Sequence, residues 1–166
     1  MSSETGQDGR PADTTAATVR RCWALDLDAA TLYELLRLRV DVFVVEQACA
    51  YGELDGRDLE PRARHYWLAG HGSPEPVLGT IRLLKEPGGG YRIGRLCTAR
   101  DVRGRGLGRR LVEAALAEVG SGECVLDAQD HLADFYRGYG FEAVGPAYDW
   151  DGVAHVPMRR PARAQG

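Results

Sequence analysis

The sequence predicts an α+β or α/β domain in which helices flank a mixed sheet. Seven short runs have the composition of strands, and they are separated by clusters of glycine, proline and other turn formers. Three further segments are predicted as helices, and in one of them, 29–45, apolar residues recur at helical spacing. The chain has 166 residues, 44% apolar and 27% charged, which suits one soluble globular domain. The predicted order is β-α-β-β-β-α-β-α-β-β.

The ends of the chain differ in composition from the middle. Residues 1–18 are rich in Ser, Thr, Gly, Asp and Pro and lack large apolar side chains. Such a stretch buries too little surface to offset the entropy lost on ordering, so we expect a disordered N-terminal tail. Residues 161–166 are interpreted as a C-terminal tail for the same reason. The folded domain is therefore expected over residues 19–160.

The first half of the domain is predicted as a strand, a helix and a long loop. The strand is expected at 19–25, and Asp28 is a plausible N-cap for a helix over 29–45. Residues 46–64 are polar and contain two glycines and a proline, so they are predicted to form a loop. Loops of this length in compact domains are often functional.

The second half begins with strands at 65–69, 77–85 and 91–98, the last two joined by the turn sequence Pro-Gly-Gly-Gly at 87–90. The remaining elements are predicted as a helix at 107–119, a strand at 123–128, a short helix at 131–139 and closing strands at 141–148 and 153–159. Asp151 and Gly152 are expected to form the turn between the closing strands.

Composition limits the possible functions. A formal charge of −3 is too small to indicate an acidic or basic partner in bulk, and we expect neither a nucleic-acid nor a membrane partner. The four cysteines form no CxxC pair, which argues against a zinc site and against a dense disulfide framework. No apolar run approaches the ~20 residues that cross a bilayer. The N-terminal residues lack the apolar core of a secretion signal, so a cytoplasmic protein is expected.

The strongest chemical signal is the glycine-rich turn at 103–108, Arg-Gly-Arg-Gly-Leu-Gly, between a strand and a helix. Glycine lets the backbone turn tightly, and the free amides and positive dipole at a helix start favour a phosphate or pyrophosphate. The turn lacks the Gly-Lys-Ser/Thr of a P-loop, and a dinucleotide fingerprint would need glycine at 109. A turn used only for its geometry is the alternative.

A second signal is the segment 126–141, which contains Phe135-Tyr136 and Gly140-Phe141. A strand followed by a short helix would place Tyr136 near the end of that strand. The ordinary phenol pKa of about 10 suits protonation of a thiolate leaving group, whose reference pKa is about 8.5. The alternative role for Tyr136 is that of a core aromatic residue.

Together these two segments resemble the GCN5-related N-acetyltransferase (GNAT) superfamily. Arg103, Gly106 and Gly108 match its coenzyme A loop, and Phe135-Tyr136 with Gly140-Phe141 match its second block. Gln129 stands where an Asn is often found. A narrower resemblance to the ElaA-like branch rests on residues 43–47, 55–56, His65, 93–95 and 128–132, and spans nearly all of 25–160.

The resemblance implies a GNAT acyl-CoA N-acyltransferase fold, whose mixed, mostly antiparallel sheet is splayed at its centre. It implies acetyl-CoA as co-substrate without a metal, direct transfer to a small-molecule or peptide amine, and a possible homodimer. A backbone N–H near Leu96 or Cys97 would stabilise the thioester oxyanion, and Cys97 itself is not expected to be acylated. The residues expected to bind the co-substrate are Leu96, Cys97, Thr98, Arg103, Gly104, Arg105, Gly106, Leu107, Gly108, Arg109 and Gln129.

Two catalytic side chains are expected, Tyr136 as the acid and Glu46 as the base. Glu46 precedes the loop that should wall the acceptor pocket, but it could instead cap the helix or pair with an arginine such as Arg39. His65, His131 and His155 are further candidates for the base, each more easily explained as a structural histidine. The carboxylates of loop 46–64 would suit a cationic amine, and a solvated acidic loop is the equal alternative.

Two other functions remain open. A catalytically silent acyl-CoA-binding or sensing module would need the same coenzyme A loop. A less favoured alternative is a relative that makes acyl-homoserine lactones, because residues 39–43 faintly resemble those synthases.

Overall fold

The computed structural model describes residues 16–165, and within that span the chain forms eight strands and three α-helices. The strands are β1 (Thr18–Trp23), β2 (Arg64–Ala69), β3 (Val77–Lys85), β4 (Tyr91–Thr98), β5 (Cys124–Gln129), β6 (Glu142–Ala143), β7 (Tyr148–Trp150) and β8 (Val153–Arg160). The helices are α1 (Ala29–Val40), α2 (Leu107–Val119) and α3 (Ala133–Arg137). Most of the predicted N-terminal tail, residues 1–18, lies outside the described residues.

All the strands join one mixed, mostly antiparallel sheet in the order β1-β2-β3-β4-β5-β8-β6, with β7 paired to β8. Only β4 and β5 run parallel, which a crossover through α2 makes possible. The predicted fold class is therefore confirmed.

Helix α1 starts where the sequence predicts but ends earlier. The side chain of Asp28 caps the helix by accepting a hydrogen bond from the Thr31 amide at 2.7 Å. The α-helical pattern stops at Val40, and a π-helical turn follows over Asp41–Glu46. Within it, Gln47 donates its amide to Val42, five residues back. This wider turn explains why apolar spacing suggested a helix as far as residue 45.

The two faces of the sheet are covered by different layers. Successive side chains of a strand point to opposite faces, so Ile81 and Leu83 lie on one face of β3 and Arg82 and Leu84 on the other. Both faces of the strand are buried. Helices α2 and α3 cover the first face and share its apolar core, to which Leu111 and Tyr136 belong. Helix α1 lies on the Arg82 face, where a buried ionic network replaces part of the apolar packing.

Strand β4 is distorted next to its splayed edge. Its pairing with β3 shifts register between Cys97 and Gly94, so β4 contains one extra residue there. Arg95 lies at this β-bulge with a left-handed φ of 56°. On the other edge, β4 pairs with β5 only at Tyr91 and Arg92, and beyond those residues the two strands separate. A cleft opens between them.

The predicted strand 141–148 is wrong in its continuity, because the structure divides it into β6 and β7. Phe141 is buried in the core, and its ring lies 6.0 Å from that of Tyr136. The segment Gly145–Pro146 interrupts the pairing, since proline has no amide to donate. The chain resumes as β7 and turns into β8 through Asp151 and Gly152. Both have positive φ, as a tight hairpin turn requires.

Candidate active site

The cleft between β4 and β5 has a volume of about 1040 Å³ and reaches from the glycine-rich turn to the β7–β8 hairpin. Its two sides are chemically different. The α2 side carries the turn at 103–108 and the aromatic residues of α3, whereas the α1 side carries polar and charged groups from β4, β5 and the loop after α1. Such a cleft admits a long ligand from one face of the sheet to the other.

The turn before α2 forms a cradle of free amides. Gly104 and Gly106 both adopt left-handed φ angles, 77° and 75°, which only glycine takes without strain. Gly106 is the N-cap of α2 and offers no side chain, so the amides of Leu107, Gly108 and Arg109 lack an internal acceptor. These amides, at the positive end of a thirteen-residue helix, fit an anionic phosphate.

Arg103 is held in place rather than extended towards a ligand. Its guanidinium donates to the carbonyl of Thr98 at 3.1 Å and forms a two-pronged pair with Glu46, in which Nη2 lies 2.6 Å from Oε2. This pairing lowers the pKa of Glu46, so the carboxylate stays ionised and occupied at neutral pH. The geometry favours the paired role for Glu46, with Arg103 as partner instead of Arg39. Arg103 thereby ties the turn to the end of β4 and to the π-helical turn.

Tyr136 lies on α3 with its ring packed edge-on between Phe135 and Phe141. The side chain lines the cleft although the residue is only 6% exposed. Burial raises the pKa of its phenol well above the ordinary value, so the hydroxyl keeps its proton throughout the physiological range.

Cys97 and its neighbours on β4 form the floor of the cleft together with Leu96 and Thr98. Burial raises the pKa of the Cys97 thiol to about 12, which leaves it protonated and poorly nucleophilic at neutral pH. At the far end of the cleft, Gln129 donates its side-chain amide to Gln47 at 3.3 Å. This bond connects the end of β5 with the loop after α1.

The structure brings nearly all the predicted site residues into this one cleft. The predicted residues that line it are Glu46, Leu96, Cys97, Thr98, Arg103, Gly104, Gly106, Leu107, Gly108, Arg109, Gln129 and Tyr136. Arg105 is the exception: it is exposed and does not belong to the lining. Of the additional histidines, His131 and His155 line the cleft. His65 is 1% exposed and directs its Nε2 to the carbonyl of Asp58 at 2.9 Å.

Two carboxylates of the loop 46–64, Glu53 and Asp58, are buried and paired with arginines, so neither sequence interpretation holds for them, whereas Asp55 is paired but remains exposed and lines the cleft. Arg39, 1% exposed, donates to Glu53 at 2.8 Å and to Asp58 at 2.5 Å. Arg82 donates to Asp58 at 3.0 Å and to Asp55 at 2.8 Å. Burial alone would raise the pKa of Asp58, but the two arginines outweigh it and hold the pKa below its usual value.

Arg95, at the bulge, completes this network from β4. Its Nε lies 3.0 Å from Glu53 Oε1, although the N–H is not directed at that oxygen and makes no hydrogen bond. Its Nη2 donates weakly to the Glu53 carbonyl at 3.3 Å. The left-handed backbone and these long contacts make Arg95 a strained residue that lines the cleft.

Sequence reasoning missed this network. One signal was present, because Arg82 interrupts an otherwise apolar strand, and a charge in a buried strand requires a partner. The identity of the partners was not readable, since Arg39, Asp58 and Arg82 are far apart in sequence.

Within residues 16–165, no group of three or more His, Cys, Asp or Glu side chains could hold a metal ion. No helix in the same span is long and apolar enough to cross a membrane.

Comparisons with known proteins agree with one another. Residues 40–161 match the family model described as an acetyltransferase (GNAT) domain. A UPF0039 protein of Mycobacterium tuberculosis is 55% identical over 151 residues, which cover 89% of this chain and 95% of the relative. Protein ElaA of Escherichia coli is 36% identical over 144 residues, covering 81% and 90%.

Solved structures give the same result. An acyl-CoA N-acyltransferase from Pseudomonas aeruginosa superposes with a TM-score of 0.81 at 38% identity, covering 87% of this chain and 99% of the other. Escherichia coli ElaA superposes with a TM-score of 0.78 at 33% identity and the same coverage. A CoA-dependent acyl-homoserine lactone synthase, with a TM-score of 0.66, is only 16% identical over 89% of this chain and 84% of that one, so it shares the fold alone.

Proposed function

Because this chain belongs to the GNAT acetyltransferase superfamily and to its ElaA-like branch, we propose that it transfers an acetyl group from acetyl-CoA to the nitrogen of an amine. The observation that carries the proposal is the cleft between β4 and β5, with the uncapped start of α2 at one end and a polar pocket at the other. A pyrophosphate fits the first and an acceptor fits the second.

Co-substrate binding is assigned to the turn at 103–108 and the first turn of α2. The free amides of Leu107, Gly108 and Arg109 would hold the pyrophosphate, and a Cβ at Gly108 would lie 4.0 Å from Leu96, so the missing side chain leaves room for a ligand. The free edge of β4 offers backbone groups to the amides of the pantetheine arm. A backbone N–H near Leu96 or Cys97 then faces the thioester oxygen and stabilises the oxyanion.

The chemical step needs one bond made and one broken. The neutral amine nitrogen attacks the thioester carbon, the C–S bond breaks, and the nitrogen loses a proton while the thiolate gains one. Tyr136 is assigned as the acid that protonates sulfur. Its raised pKa ensures that the proton is present, and a thiolate in the same apolar surroundings is likewise more basic than in water.

The test compares the protein with its Tyr136→Phe variant. Release of CoA thiol is followed with acetyl-CoA and a panel of amines, amino acids and peptides, while calorimetry measures CoA binding. We expect turnover to fall 10²–10⁴-fold, the usual contribution of a general acid, with CoA affinity retained. Full activity of Tyr136→Phe would refute the role of the acid. Tight CoA binding without turnover on any acceptor would favour the silent binding module, and turnover only with S-adenosylmethionine would favour the lactone synthase.

A further inference from the structure

The base for the proposed reaction is unassigned once Glu46 is occupied by Arg103, and the opposite wall of the cleft offers another. His155 lies on β8 directly across from Gln129, the last residue of β5. Its neighbours Val156 and Met158 point into the core, so His155 points to the other face, where the cleft opens. It therefore lies on the α1 side, where the acceptor pocket is proposed.

The hydrogen bond of His155 fixes which nitrogen is basic. Its Nδ1 lies 2.8 Å from the carbonyl oxygen of Val153. A carbonyl oxygen can only accept, so Nδ1 carries the hydrogen and the neutral ring keeps its lone pair on Nε2. The ring is held between Tyr148, stacked at 5.9 Å, and Trp150, tilted at 5.6 Å. The imidazole is thus oriented by one hydrogen bond and two aromatic contacts.

Three other candidates for the base are engaged or buried, whereas His131 is exposed and also lines the cleft. Glu46 is bound by both prongs of Arg103. His65 is buried under the loop and bonded to Asp58. The Tyr51 hydroxyl donates to Glu53 at 2.5 Å, and burial raises the pKa of that phenol.

We propose that Nε2 of His155 takes the proton from the acceptor amine, an inference that rests on the proposed transferase function. The ammonium form of the acceptor gives one proton to Nε2, the neutral nitrogen forms the new N–C bond, and the imidazolium returns the proton to water after release. The half-exposed ring of Trp150 faces the same cleft, and an aromatic face favours an incoming ammonium group. The acceptor class is therefore an amine that is protonated in solution.

Several charged or titratable groups lie on the elements packed against the ring. They are Tyr148, Asp149 and Asp151 on the hairpin, Asp127 on β5, Arg92 on β4, and Asp130 and His131 on the turn after β5. Asp127 is paired with Arg92 at 2.8 Å, and Asp149 accepts the Gly152 amide at 2.9 Å. Burial and the nearby Asp127 carboxylate raise the pKa of Tyr148 to about 12.

The experiment measures kcat/KM against pH with acetyl-CoA and the primary amines of the panel, for the protein and for His155→Asn. Asparagine keeps a donor for the Val153 carbonyl but has no basic nitrogen. A second variant, His155→Gln, also lacks a basic nitrogen and replaces the first if His155→Asn does not fold. His71→Asn removes an exposed histidine from the β2–β3 connection and serves as the control. Hydroxylamine, which is already neutral at the assay pH, serves as an acceptor that needs no base.

For the protein we expect kcat/KM to rise with pH and to level off once the base is in its neutral form. For His155→Asn we expect a loss of about 10²–10⁴-fold at neutral pH and a tenfold rise per pH unit up to the pKa of the amine. Turnover of hydroxylamine should fall far less, and CoA binding should not change.

Each alternative outcome overturns a defined part of the reasoning. Turnover that is unaffected in both His155 variants overturns the role of His155 and leaves the transferase intact. A loss of kcat/KM in His131→Asn, with the pH profile expected for His155→Asn, would assign the base to His131 and also overturns the role of His155. If the His155 variants lose as much turnover with hydroxylamine as with the other amines, His155 has a structural role and is not the base. No turnover of any amine by the unmodified protein overturns the proposed function, and this proposal with it.

Discussion

Arg39→Leu tests the buried network under the α1 side of the cleft. The guanidinium is the hub of that network, with hydrogen bonds to Glu53 and Asp58 and 1% of its side chain exposed. Removing one partner of a buried ion pair costs about 3–5 kcal/mol, because the remaining charges stay buried. Here Asp58 keeps Arg82, and Glu53 keeps Tyr51 and the neighbouring Arg95. We therefore expect Arg39→Leu to lower the free energy of unfolding by about 3 kcal/mol, the lower end of that range.

The assay is equilibrium unfolding in urea, with Arg37→Leu as the matched control. Arg37 belongs to the same helix but forms an i,i+3 pair with Glu34 in which the side chains are 62% and 43% exposed. Such a pair contributes about 0.5 kcal/mol at most. With a slope near 2 kcal/mol/M, about 3 kcal/mol moves the unfolding midpoint of Arg39→Leu by roughly 1.5 M. Equal midpoints for the two variants would refute the claim that the network holds the loop.

Three further changes test the cleft. Gly108→Ala should keep or raise stability, because the added Cβ meets nothing closer than 4.0 Å and alanine favours a helix. Its methyl group should weaken CoA binding at least tenfold, as measured by calorimetry. Unchanged CoA affinity would place the pyrophosphate elsewhere. Glu46→Gln should raise the Kd for CoA several-fold, because it frees Arg103, while kcat stays within about threefold of the unmodified protein. A loss of 10²-fold or more in kcat with an unchanged Kd would instead assign Glu46 as the base. Cys97→Ala should retain turnover, and at neutral pH the Cys97 thiol should resist iodoacetamide in mass-spectrometric mapping, because burial keeps it protonated. Rapid labelling would contradict this.

Local sequence patterns were sufficient for most of the fold. The N-cap at Asp28, the glycine turn at 87–90 and the apolar stripe of α2 each depend on neighbours within a few residues, and the structure contains all three. The glycine turn at 103–108 belongs to the same class, since its left-handed φ angles and uncapped helix start follow from glycine at fixed positions. The prediction of one continuous strand at 141–148 was wrong, because the interruption before β7 depends on how the chain pairs with β8.

The sequence by itself therefore determined the mixed sheet flanked by helices and the glycine-rich turn before α2, because both follow from short-range periodicity and backbone freedom. Only the tertiary structure decided which charges meet. Asp58 pairs with both Arg39 and Arg82, Glu46 pairs with Arg103, and His155 faces the cleft from the last strand. Those partners are separated by 19 to 57 residues. Side-chain pairing at that range is fixed by strand register and helix packing, which no local pattern records.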